Sequence, residues 1–257
     1  MIKGLWQTTY KRICAFLIST LLKLRYRLRV EGMQALHLNP KQGCLFLSNH
    51  MAKIDPVILE VLFWNNFHLR PLAGDYLFDD PIIRWFLHIV QAIPVPQIIP
   101  GKNTDETLER VDRYYKNVVS VLNTGGSVLL YPSGRLSKTG KENILNQNSA
   151  YTLLHKAKQC NVVLVRISGL WGSAFSCYKK KTSPALVRVY KESLFALLRC
   201  GLFFMPKRFV KITVCQVDHS FLQQFPAKQD LNAFLSSWFN QDQEDFPIEV
   251  PYTINKS

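Results

Sequence analysis

Three short, largely apolar runs constrain the fold of this chain more than any other feature: Cys44–Leu47, Ser127–Tyr131 and Val162–Ile167. Each is too short for an ordinary helix, and an unbroken apolar run suits a strand covered on both faces. Segments with helical spacing lie between them. Val57–Phe63 puts Val57, Ile58, Val61 and Leu62 on one face, and a longer helix starts at Thr104 or Asp105. That helix runs to about Asn123 with Leu108, Val111, Tyr115, Val118, Val119 and Leu122 inward, and Gly125-Gly126 stops it. Further strands are expected at Leu24–Glu31, Leu69–Ala73, Ala92–Val95, Ala185–Tyr190 and Phe209–Val214. Further helices are expected after Asp80-Pro81, over Asn148–Gln159 and near Leu231–Phe239. Strands alternating with helices predict one layered α/β domain, a mostly parallel central sheet flanked by helices, over residues 25–225. An amphipathic, membrane-associating helix over 1–24 precedes it, and a C-terminal helix with a polar tail over 226–257 follows.

Composition narrows the function. With 257 residues, 47% of them hydrophobic, the chain can fill one large core, which excludes disorder outside the polar tail. The six cysteines are scattered, with no CxxC and no Cys/His cluster, so neither a zinc site nor a disulfide framework is expected. Free thiols in a reducing compartment are the simple alternative, and no metal site is assigned. Thirty-two Lys and Arg against 18 Asp and Glu give a net charge of +14, which calls for an anionic partner. Charge alone leaves nucleic acid, an anionic membrane surface and phosphorylated ligands open. Nothing resembles a reading helix or an aromatic RNA-binding sheet, so nucleic acid is not expected.

The N-terminus favours a membrane. Ile13, Phe16, Leu17, Thr20, Leu21 and Leu24 share one helical face, and Arg12, Ala15, Ser19 and Lys23 share another. The uncharged stretch Ile13–Leu22 is shorter than the roughly 20 residues of an ordinary span. Lys3, Lys11 and Arg12 lie before it and Lys23, Arg25, Arg27 and Arg29 after it, with no signal-peptide cleavage pattern following. A helix lying in the membrane interface, with Trp6 and Tyr10 at headgroup level, fits these features. A helix packed on the domain is the competing reading.

Two segments carry chemistry. Ser48–Pro56 joins the first buried strand to a helix and holds His50 with Asp55 five residues on. A carboxylate on one imidazole nitrogen sets the tautomer and leaves the other nitrogen basic, which makes a general base for an alcohol. The plain alternative is that Asp55 caps the helix ahead of Pro56 with His50 merely nearby. The second segment, Pro132–Lys141, follows another buried strand, where α/β folds place ligands. Gly134 permits close backbone approach and Arg135 offers a planar fork for a phosphate. Gly134 to Gly140-Lys141 has five intervening residues instead of four, and Glu142 stands where a nucleotide-binding loop needs Ser or Thr. A nucleotide site is therefore rejected, and a solvated basic turn is the plain alternative.

Together, Asn49, His50 and Asp55 with Tyr131-Pro132-Ser133-Gly134-Arg135, about 80 residues further on, resemble two signature blocks of the phospholipid/glycerol acyltransferase family. Arg135 directly after Gly134, with Leu136-Ser137 and Thr139-Gly140, is most similar to the acyltransferase half of bacterial 2-acylglycerophosphoethanolamine acyltransferases. Val162–Gly169 resembles the fourth block. The resemblance implies transfer of a fatty acyl group from acyl-ACP or acyl-CoA to a lysophospholipid or glycerol phosphate, without a cofactor. His50 would be the base and Asp55 its orienting partner, while Asn49, Ser133, Gly134 and Arg135 would contact substrate. It also implies work at a phospholipid membrane surface, on the cytoplasmic face of a bacterial inner membrane. Three positions depart from the family. Ser133 replaces the usual glutamate, Leu164 a usual proline, and only Gln97 or Lys102 lies where the second block has arginine. These departures motivate a second reading, a silent acyltransferase-like domain that binds lipid or a partner.

Overall fold

The computed structural model describes residues 2–97, 105–157, 159–178, 185–200, 206–241 and 246–251, with side chains from residue 12 onward. Seven strands form one sheet: β1 (Tyr26–Glu31), β2 (Cys44–Ser48), β3 (Arg70–Gly74), β4 (Ile93–Val95), β5 (Ser127–Leu130), β6 (Asn161–Ser168) and β7 (Arg208–Val217), in the order β1-β7-β6-β2-β5-β3-β4. Five strands, from β6 to β4, run parallel; β7 is antiparallel to β6 and parallel to β1. The helices are α1 (Ile2–Arg25), α2 (Asp55–Phe67), α3 (Pro81–Ile89), α4 (Asp105–Asn123), α5 (Ser149–Lys156), α6 (Leu186–Arg199), α7 (His219–Gln223) and α8 (Lys228–Phe239). The expected α/β layering is what forms.

The central apolar runs explain the layers. Successive side chains of a strand point to opposite faces. Phe46, Leu129, Val163 and Val165 therefore meet α1, α2 and α6 on one side, through Leu22, Ile58, Leu59, Phe63 and Val189. Leu45, Leu47, Val128, Leu130, Val162 and Leu164 meet α4, α5, α7 and α8 on the other. Leu164 sits mid-strand between Leu47 and Cys215, where proline would remove a ladder N–H.

Three local expectations differ from the structure. Ala185–Tyr190 belongs to the start of α6, not to a strand; a six-residue apolar and β-branched stretch cannot outweigh the burial of Val189 and Leu197, two helical turns apart. Leu108 is 58% exposed, and the buried stripe of α4 is Tyr114, Val118, Val121 and Leu122. The third is Asp55, which heads α2 without capping it.

Helix α1 packs with Ile18 and Leu22 against the sheet layer, while Ile13, Phe16, Leu17 and Leu21 face outward. Among the described residues, no helix is long and apolar enough to cross a membrane. At the other end, Leu231, Leu235 and Phe239 of α8 are fully buried in the core. Residues 246–251, read from composition as polar tail, are tied to the domain. The Arg25 guanidinium donates to Val250 O (2.6 Å) and Pro251 O (3.0 Å), and Arg208 to Ile248 O (2.8 Å).

Candidate active site

Parallel neighbours β2 and β5 align Leu47 with Leu130, so the loops leaving them emerge side by side at the carboxyl edge of the sheet. The first loop is locked immediately. Asn49 Nδ2 donates to Ile167 O (2.9 Å), and Ile167 N donates back to Asn49 Oδ1 (2.8 Å), extending the ladder by a side chain. Asn49 is fully buried, so the contacts observed for this expected substrate ligand are structural.

His50 Nδ1 lies 3.1 Å from Asp55 Oδ2, with the imidazole 17% exposed and the carboxylate fully buried. The same oxygen accepts from Met51 N (2.7 Å) and Ala52 N (2.9 Å). Asp55 is therefore not the expected helix cap. It is the first residue of α2, makes no capping bond to that helix, and turns its carboxylate back over residues 50–52. Pro56 supplies a pre-set φ and has no N–H to satisfy, which leaves the carboxylate available for the upstream turn. With Nδ1–H held by Asp55, Nε2 is the basic nitrogen.

The second loop grips the same histidine. The Tyr131 ring stacks on the imidazole at 4.1 Å between centroids. Ser137 N donates to His50 O, and His50 N donates to Glu142 Oε2, both at 2.8 Å. The two sequence segments thus meet at one residue. Ser133 is buried and donates to Arg135 O (2.9 Å). Gly134 has a φ of +63° with open space where a Cβ would be, so the left-handed turn and not close approach demands glycine. Arg135 is exposed, and its guanidinium bonds no protein group among the described residues.

Glu142 and Tyr131 are the participants that sequence reasoning missed. Glu142 is almost fully buried. Burial raises its pKa, while the nearby Ser133 hydroxyl and the hydrogen bond from the His50 N–H act in the opposite direction. Its backbone is clamped by the Asn240 side chain at the end of α8, with Glu142 N to Oδ1 at 2.8 Å and Nδ2 to Glu142 O at 2.9 Å. The available signal was an acidic residue close after a third block that lacks its own. Trp171 lies under this loop against Leu136, Cys177 and Tyr178, and Phe175 lies in the core.

The second-block position stays without a strand-loop arginine: Gln97 is exposed, and Lys102 lies outside the described residues, as do Lys179–Lys181. A cavity of about 350 Å³ beside β4 is lined instead by Arg110 and Arg113 of α4, with Arg110 paired to Asp75 at 2.8 Å. Among the described residues, no three His, Cys, Asp or Glu side chains converge to hold a metal ion.

Beneath the site, Glu60 of α2 is buried, and neither carboxyl oxygen meets a hydrogen-bonding partner among the described residues. Burial holds its pKa well above the usual carboxylate range. A raised pKa means the folded state keeps a proton that the unfolded chain releases. The associated stability is full below the unfolded-chain value and is lost as pH rises through the folded one. Glu60→Leu is expected to stabilise the fold by about 1–3 kcal/mol. In denaturant titrations the advantage should grow as pH rises above the ordinary carboxylate range.

The family model described as Acyltransferase matches residues 27–168, more than half of the chain. The chain belongs to this acyltransferase family. Its fold is similar to that of the crystal structure of the 1-acyl-sn-glycerophosphate (LPA) acyltransferase PlsC from Thermotoga maritima. The TM-score is 0.56 at 15% identity, over 90% of this chain and 79% of that one.

Proposed function

We propose that this protein moves a fatty acyl group from an acyl thioester, acyl-ACP or acyl-CoA, to the free hydroxyl of a lysophospholipid or glycerol phosphate. The observation that carries the reading is the His50–Asp55 pair, buried on its carboxylate side and open at its imidazole, on a turn gripped by the third-block loop. His50 Nε2 takes the acceptor's hydroxyl proton, and the oxygen attacks the thioester carbonyl. The C–S bond then breaks, and the imidazolium returns the proton to the departing thiolate. Asp55 stabilises the imidazolium between these steps. No cofactor is needed, and Arg135, exposed beside the site, is suited to an acceptor phosphate.

The outward apolar side chains of α1 and the net charge of +14 support docking on anionic lipid, where lysolipid and product both reside. By family resemblance and free-thiol content, the cytoplasmic face of a bacterial inner membrane is the expected location, with peripheral or monotopic attachment. The test is purified protein with acyl-ACP or acyl-CoA and lysophospholipids of several headgroups in anionic vesicles. Diacyl product by mass spectrometry is expected, and the headgroup that gives it identifies the acceptor. Ser133 favours the silent lipid- or partner-binding domain, and vesicle flotation without product across every pairing would establish that second reading instead.

A further inference from the structure

We propose that Glu142 is the positioning residue of the His50 turn and supplies, nine residues downstream, the carboxylate that the third block lacks at Ser133. The hydrogen bond from His50 N to Glu142 Oε2 (2.8 Å) fixes the main chain of the base itself. Charge-assisted bonds of this kind are among the stronger ones. Ser133 is buried, with its hydroxyl on Arg135 O, close enough to the Glu142 carboxylate to lower its pKa, so position 133 and the Glu142 head group share one buried space. Glutamate at both positions would force two carboxylates together, which like charges disfavour. The small Ser133 is therefore the complement of Glu142.

A glutamate in a polar loop ordinarily stays in solvent. This one is held inside by two reciprocal hydrogen bonds with Asn240, which ties the base to the end of α8. Ser137 N completes the bracket at His50 O, so the loop from 133 to 142 fixes both main-chain groups of one residue. Only the activity readout of this inference rests on the acyl-transfer reading.

The experiment compares wild type, Glu142→Ala and the transposed variant Ser133→Glu/Glu142→Ala by acyl-transfer kinetics and by the ring ¹⁵N resonances of His50. Glu142→Ala should lower kcat about 10²-fold, the scale of a misplaced catalytic group, with acceptor KM changed less than about threefold. The transposed variant should recover at least about tenfold of that loss. An unchanged kcat in Glu142→Ala, or no recovery on transposition, overturns the proposal. If Glu142→Ala does not fold, a folded and active transposed variant supports the proposal and an unfolded or inactive one overturns it. If wild type transfers no acyl group, the functional reading fails by itself and the His50 resonances decide. A shift in Glu142→Ala that returns on transposition supports the proposal, and unshifted resonances overturn it.

Discussion

His50→Ala is expected to slow acyl transfer by about 10²–10⁴-fold, the range a positioned general base contributes. The loss should fall on kcat, with KM for donor and acceptor little changed, because the imidazole acts on the proton that moves in the transition state. The fold should survive. The bonds that bracket His50 use its main-chain N and O, to Glu142 and Ser137, and alanine keeps both. What alanine removes is the ring stacked on Tyr131 and the Nδ1 contact to Asp55. Initial rates together with a thermal melt check this. A rate loss matched by a lowered melting temperature would make His50 structural.

Asp55 separates orientation from architecture. Asp55→Asn keeps an oxygen for Met51 N and Ala52 N and puts an amide group where Oδ1 has no hydrogen-bonding partner. The turn should hold, but the negative charge facing the imidazolium is gone. A rate loss of about 10²–10⁴-fold is expected, with a smaller stability loss than removal of the acceptor brings. Asp55→Ala removes the acceptor as well. Two buried N–H groups then stand unpaired at roughly 1–3 kcal/mol each, so it should lose at least about 2 kcal/mol of stability as well as activity. Rates and denaturant midpoints of both variants measure the difference. Equal destabilisation by Asn and Ala would contradict the assignment of the Asp55 oxygens.

The layers were legible because burial on both faces writes itself as unbroken apolar runs, as in Cys44–Leu47 and Val162–Val165. The His50–Asp55 pairing was legible as spacing. Its geometry was not, since Asp-Pro at a helix start reads as a cap, and only the fold shows the carboxylate turned back over residues 50–52. Ala185–Tyr190 misled because a short apolar run suits a buried strand and a stretch of helix equally well. Glu142 was hidden because sequence shows its polarity but not its burial. The residue that clamps its main chain, Asn240, lies 98 residues away. Asn49 belonged to the correct block, but its partner Ile167 lies 118 residues on, a distance at which local pattern carries nothing.

The most direct measurement is a rapid-quench experiment with radiolabelled acyl thioester, run with and without lysophospholipid. Transfer by general base predicts label moving straight from donor to diacyl lipid in wild type. Protein-bound acyl should be absent when the acceptor is withheld, and His50→Ala should form little product. Label trapped on the protein, or product formed as fast by His50→Ala as by wild type, would contradict it.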